Sequence, residues 1–199
     1  MRLLLNAAIA AALIFAGAAP SSAAPLFRVP SLLQIEGARP LATRKQAGMP
    51  KGYFELCRKG HSVCKSVSSR KLPTRNGAVV LTEALAKQLV RTNSDVNRGM
   101  RAVADGGDRW TVGGQAGDCE DFALTKKMRL MRAGWPTSAL LMATAFTQSG
   151  EPHAVLVVRT DQGDVVLDNL TDRIRGWNQS GLRFRTVQSP GSVWVWHSI

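Results

Sequence analysis

The sequence predicts an α+β fold, with N-terminal helices packed on an antiparallel sheet and a reactive side chain at a helix N-terminus. Three observations lead there. Apolar residues recur at helical spacing over 82–104 and again over 119–133. The period then shortens to that of strands over 140–146, 153–160, 165–169 and 193–196. No internal repeat is present, and helices followed by strands is the order of an α+β layout rather than of alternating βαβ units.

Taken in order, the chain opens with Arg2 and then an apolar run from Leu3 to Ala19, interrupted only by Asn6. The small residues Ser21, Ser22 and Ala23 follow, so 1–23 reads as a signal peptide cut before Ala24. The run approaches the length of a bilayer span, but the small-residue stretch and the lack of a basic cluster after it argue for removal. A periplasmic or secreted location is therefore expected. Residues 24–50 are rich in Pro, Gly, Ala and Arg and read as a loosely attached arm, which leaves 51–199 as the domain. No second apolar span follows.

Cys57 and Cys64 enclose a short polar loop that includes His61. The spacing fits no common zinc pattern. An exported chain favours a disulfide here, worth about 2.5 kcal/mol through loop closure. Thr82 is a suitable N-cap for a helix marked by Leu85, Leu89, Val96, Met100 and Val103, with Asn93-Ser94-Asp95 as a place where it can break. A Gly-rich stretch leads to the second helix at Cys119. Phe122, Leu124, Met128 and Met131 form its apolar side, and Lys126, Lys127, Arg129 and Arg132 are expected on its polar side. Gly134 and Pro136 end it. The chain carries 26 basic against 14 acidic residues, a net charge of +12. That balance favours an anionic surface or polymer as a neighbour. Nucleic acid is disfavoured, because no cluster of basic and aromatic residues reads as a base-stacking face.

The chemistry centres on Cys119, which the Cys57/Cys64 pair leaves without a partner. A Gly-rich loop delivers it to a helix N-terminus, a setting that favours the thiolate. His153 opens a strand after Gly150-Glu151-Pro152, and Asp168 lies near the end of the next. With Thr160–Gly163 as a four-residue loop, Asp168 falls opposite Val155 and diagonal to His153, about 7–8 Å away at Cβ. A two-residue turn would break that contact. The order suits a nucleophile, its base and the group that orients the base. Asp118, Glu120 and Asp121 crowd the thiol with negative charge, which opposes ionisation. They either cap the helix or hold a hard cation such as Ca²⁺. The Cys119 backbone N–H is the natural first oxyanion donor, with Gln115 and Trp110 as candidates for the second.

These residues resemble a known family. Gly117-Asp118-Cys119-Glu120-Asp121-Phe122-Ala123, then Lys126, Leu130 and Gly134, then His153-Ala154-Val155-Leu156, then Val166-Leu167-Asp168-Asn169-Leu170 are similar to the bacterial transglutaminase-like cysteine proteinases. Asn93, Asn97, Asp105 and Trp110 also fit. The resemblance spans roughly 80–199, and its known members include periplasmic adhesin-releasing proteases of the LapG type. It implies a papain-like, transglutaminase-like fold and a Cys119–His153–Asp168 triad. It also implies calcium at Asp118, Glu120 and Asp121 in some members, a surface adhesin as substrate, and an inner-membrane receptor as regulator.

The function expected is therefore peptide-bond hydrolysis through a thioester, with no cofactor required for the chemistry. Two alternatives stand beside it. The same triad transfers an acyl group to an amine in a transglutaminase or amidase. A non-catalytic basic domain would instead bind an anionic envelope polymer, with salt-sensitive affinity that ignores loss of Cys119.

Overall fold

The computed structural model describes residues 33–66, 72–104 and 107–199. The expected signal peptide, residues 24–32 and Asp105 lie outside the described residues. Three helices are α1 (Lys51–Arg58), α2 (Glu83–Gly99) and α3 (Cys119–Arg132). The strands in chain order are β1 (Gln46–Ala47), β2 (Thr74–Arg75), β3 (Ala78–Val79), β4 (Arg101–Ala102), β5 (Ala116–Gly117) and β6 (Leu140–Phe146). They continue with β7 (Pro152–Val158), β8 (Val165–Leu167), β9 (Arg175–Gly176), β10 (Arg183–Ser189) and β11 (Ser192–Ser198).

The main sheet runs β1-β11-β10-β6-β7-β8-β9. Every pairing in it is antiparallel, so the α+β class holds. Alternation along β6 and β7 divides the apolar side chains between the two faces. Leu140, Met142, Ala154, Leu156 and Val158 meet α3 residues Leu124 and Leu130 and the fully buried Trp135 and Trp196. Leu141, Ala143, Val155 and Val157 fill a second cluster with Val166 and Val187. The β7–β8 hairpin has Val158 opposite Val165 and Leu156 opposite Leu167. This is the four-residue-loop register, closed by the Gly163 N–H to the Thr160 carbonyl, with Gly163 at φ +106°.

Helix α2 is continuous through Asn93-Ser94-Asp95, and Thr82 Oγ1 accepts from the Leu85 N–H at 3.3 Å. Asn93 does not break it because the Nδ2 bond to the Thr171 carbonyl spends its side chain in tertiary packing. Helix α3 departs further from expectation. Lys126 and Lys127 are both fully buried, because α3 is covered on one side by the sheet and on others by α2 and the Ser62–Cys64 turn. Lys127 Nζ donates to Gln188 Oε1 at 2.7 Å, and Gln188 Nε2 in turn donates to the Tyr53 hydroxyl. Gly134, at φ +93°, ends the helix, with Trp135 N–H returning to the Leu130 carbonyl.

Residues 33–50 were expected within a loosely attached arm, and they are instead laid along the sheet. Gln46 pairs with His197, the Gln34 N–H bonds the Ile174 carbonyl, and Leu33 joins the core. Low periodicity here reflects a segment that pairs by backbone at both sheet edges rather than by an apolar face. The Cys57–Cys64 disulfide forms, with Cα atoms 5.4 Å apart, and ties the end of α1 to the turn carrying buried Val63. His61 Nδ1 accepts from the Val63 N–H at 3.2 Å, a local capping role. No helix among the described residues is long and apolar enough to cross a membrane.

Candidate active site

Helix α3 begins at Cys119 because Asp118 is extended, at φ −101° and ψ −166°, and the helical turn starts immediately after it. The sulfur is half-buried and has no disulfide partner. It accepts the Ala154 N–H from β7 at 3.3 Å, which fastens the helix start to the sheet. One residue before Ala154, His153 Nε2 lies 2.8 Å from Asp168 Oδ1, and both side chains are buried. The hairpin register places Asp168 just beyond the Leu156–Leu167 pair, so the diagonal contact closes without a bulge. The structure thus brings Cys119, His153 and Asp168 to one place.

Asp168 is held in turn. Its Oδ1 accepts the Leu170 N–H at 3.0 Å, and its backbone carbonyl accepts Asn97 Nδ2 from α2 at 3.0 Å. Burial pushes its carboxyl up, but the hydrogen bond and charge of His153, the Leu170 N–H and the Lys126 charge outweigh that and leave it below the usual carboxylate value. It is an anion at neutral pH. An ionised carboxylate only accepts, so the His153 Nε2–H donates to it, which leaves Nδ1 as the ring nitrogen available for proton exchange.

The thiol is pushed the other way. Burial, then the hydrogen bond and charge of Glu120 and the charge of Asp118, together push Cys119 up to about 12, and only the Ala154 N–H opposes. Glu120 Oε2 is 3.1 Å from the sulfur, so the thiol donates to the carboxylate. This is a protonated resting thiol.

The three acids do not act as one group. Asp121 is buried and its Oδ1 accepts the Thr111 N–H at 2.6 Å, so one of its carboxylate oxygens is spent inside the protein. A Cβ on Gly117 would fall on that carboxylate, so glycine makes the room for it. Asp118 sits at the cap position without a side-chain capping bond, so capping does not explain it. Among the described residues no group of three or more His, Cys, Asp or Glu side chains gathers to hold a metal ion. Asp118 and Glu120 are the two carboxylates whose charge reaches the sulfur, and oxygen donors of this kind suit Ca²⁺.

The oxyanion candidates separate as well. Parallel pairing of β4 with β5 carries Gln115 to a different cavity, beside His61 and Met128, and away from Cys119. Trp110 does border the site, but its Nε1 is spent on Asp108 Oδ1 at 2.6 Å. Asp108 is a residue that sequence reasoning missed. Its other oxygen accepts the Gly52 N–H at 2.8 Å and joins α1 to the cleft wall. The Asp108–Trp110 spacing was the available signal. A cleft of about 530 Å³ opens at Cys119 and His153, and Trp110, Phe146, Arg185 and Thr186 also line it.

Residues 43–199 match the bacterial transglutaminase-like cysteine proteinase BTLCP family. No curated protein matches the chain. Among solved structures, calcium-bound LapG of Legionella pneumophila is 24% identical with a TM-score of 0.50, over 56% of this chain and 67% of that one. LapG of the same organism in a second structure is 26% identical with a TM-score of 0.46, over 51% and 62%. An EGTA-treated form is 26% identical with a TM-score of 0.46, over 51% and 61%. The chain thus spans between about three fifths and two thirds of the LapG chains. The first likeness shows the fold, and the family match shows that the chain belongs to the bacterial transglutaminase-like cysteine proteinases and is a cysteine peptidase.

Proposed function

We propose that this member of the family is an exported peptidase, periplasmic or secreted, that hydrolyses a peptide bond in a cell-surface or envelope protein through Cys119, His153 and Asp168. The observation that carries the reading is the buried His153–Asp168 pair, set one residue from the N–H that addresses the Cys119 sulfur. His153 Nδ1 takes the thiol proton, and Sγ attacks the scissile carbonyl carbon, whose oxygen receives the electron pair. The Cys119 N–H, in the first turn of α3 and free of an intrahelical acceptor, is a donor for that oxyanion. Collapse breaks the C–N bond as His153 returns the proton to the leaving amine, leaving a thioester. Water deprotonated by the same nitrogen then attacks the thioester, and the acid product departs as Sγ recovers its proton. Asp168 stays ionised throughout and orients the imidazole.

Asp118 and Glu120 are the residues that would hold a hard cation such as Ca²⁺. Bound there, it would cancel the field they place on the sulfur. A surface adhesin as substrate and an inner-membrane receptor as regulator are what the family resemblance adds.

The test is cleavage of a mixed peptide library, read by mass spectrometry, beside iodoacetamide labelling of the folded protein. Cys119 alone should label, Cys119→Ala should abolish cleavage, and Asp168→Asn should lower kcat by roughly 10²–10⁴-fold with little change in KM. Added amine should not divert the products, which separates hydrolysis from acyl transfer. Cleavage by Cys119→Ala at the wild-type rate refutes the reading, and salt-sensitive polymer binding that ignores that substitution would favour the binding-domain alternative.

A further inference from the structure

We propose that the cleft beside Cys119 takes a peptide bearing an aspartate or glutamate close to the scissile bond, with Arg185 as the residue that binds this carboxylate and Arg183 as a supporting charge. The inference rests on the peptidase reading above and names the substrate class of that same site.

The strand register is the first ground. On β10, Phe184 lies opposite Ala145 and Thr186 opposite Thr144, so Arg185 is an extra residue in a bulge. In a regular strand residues 185 and 186 would point to opposite faces. At this bulge both border the cleft that holds Cys119. Bulges next to active sites re-aim side chains in this way.

The second ground is how the guanidinium is held. Arg185 lies over the Phe146 ring at 5.3 Å from its centroid, and Arg183 lies over the same ring at 6.0 Å. Stacking on an aromatic face orients a guanidinium while leaving its N–H edge free, the arrangement that accepts a carboxylate bidentately.

The third ground is that these charges are unspent. Both arginines are exposed, and all ion pairs among the described residues lie elsewhere. The carboxylates that also line the cleft are engaged, Asp108 with Gly52 and Trp110 and Glu120 with the thiol. The neighbouring hydroxyls of Thr144 and Thr186 bond each other at 2.7 Å and offer no competing charge. Arg185 is therefore a cation on the lining of the cleft that holds Cys119, with no ion pair among the described residues.

The experiment measures binding, so that it does not depend on turnover. Fluorescent octapeptides carrying one Glu, Gln or Lys at each successive position are titrated against the Cys119→Ala protein, in that background alone and with Arg185→Gln, Arg185→Lys or Arg183→Gln added. Wild-type cleavage of the same peptides runs in parallel. At low salt the best Glu peptide should bind about tenfold or more tighter than its Gln counterpart. Arg185→Gln should reduce that ratio to within about twofold, Arg185→Lys should retain part of it, and added salt should weaken it. Equal binding of Glu and Gln peptides overturns the proposal, as does a preference that survives Arg185→Gln, or no binding of any peptide. Cleavage by the wild-type protein without a Glu preference overturns the acidic subsite and leaves the peptidase reading intact. Glu-selective binding without cleavage supports the subsite and counts against the peptidase.

Discussion

Replacing Glu120 by Gln should make Cys119 more reactive, although it removes an acid from the heart of the site. Gln keeps an oxygen that can accept from the thiol and deletes only the charge. With the thiol near 12, roughly one sulfur in 10⁵ is ionised at neutral pH. A unit charge 3.1 Å from the sulfur costs a thiolate about 1.3 kcal/mol even at the dielectric of water, and more in a half-buried site. Removing it should therefore raise the thiolate population by about tenfold or more. The assay is the iodoacetamide rate at Cys119 across pH, in chelator so that no cation masks the charge, with labelled peptides mapped by mass spectrometry. The rate at fixed pH should rise and its titration should move to lower pH. In wild-type protein, added Ca²⁺ should act in the same direction, and Glu120→Gln should blunt that response. An unchanged or slower rate in Glu120→Gln would mean that the carboxylate does not control the sulfur, and the electrostatic account of the resting state would fall.

Two further outcomes follow from the supporting structure. Gly117→Ala places a methyl on the Asp121 carboxylate and costs its bond to Thr111, so the denaturant midpoint should fall by the equivalent of about 1–3 kcal/mol; a change under about 0.5 kcal/mol refutes the steric reading. Burial lowers both Lys126 and Lys127 to about 7, so from there up to the ordinary lysine value the unfolded chain binds protons that the folded chain does not. Stability should therefore rise with pH across that window, by at most about 1.4 kcal/mol per pH unit for each lysine. Lys127→Met should halve the two lysines' share of the slope measured by chemical denaturation from about pH 7 to about pH 9, and an identical slope would show that Lys127 stays charged in the folded protein.

Much of this site was legible because it depends on periods and registers. Helix α3 announces itself by its apolar positions and by Gly134, and the β7–β8 pairing follows from counting back from a four-residue turn. That arithmetic brings Asp168 to His153. What sequence could not supply was the third dimension of burial. Lys126 and Lys127 read as solvent-facing because lysine rarely loses water, and only the enclosure of α3 overrides that. Gln115 and Trp110 both lie close to Cys119 in sequence, but β4–β5 pairing sends one to another cavity and Asp108 captures the other. The strand β10 was missed because Arg183-Phe184-Arg185-Thr186 does not alternate cleanly, and the reason is the bulge itself. Helix α1 was missed too, since it is short and has no acidic first turn or side-chain cap.

The opposed titrations within the site constrain how activity is switched on. Asp168 is held below its usual value by His153, the Leu170 N–H and Lys126, while Cys119 is held above its own by burial, Glu120 and Asp118. Environments that push neighbouring groups apart assign their roles. Asp168 stays charged whatever happens at the sulfur, so it is a fixed orienter and no switch. The adjustable quantity is the proton on Cys119, and the groups that control it besides burial are Glu120 and Asp118. Anything that activates this resting arrangement must therefore neutralise or displace those two carboxylates, or supply positive charge beside the sulfur. A cation at Asp118 and Glu120 acts by the first route. An acidic substrate held by Arg185 brings no positive charge to the sulfur, so binding and activation are separable: loss of Arg185 should alter which peptides bind and leave the Cys119 titration where it was.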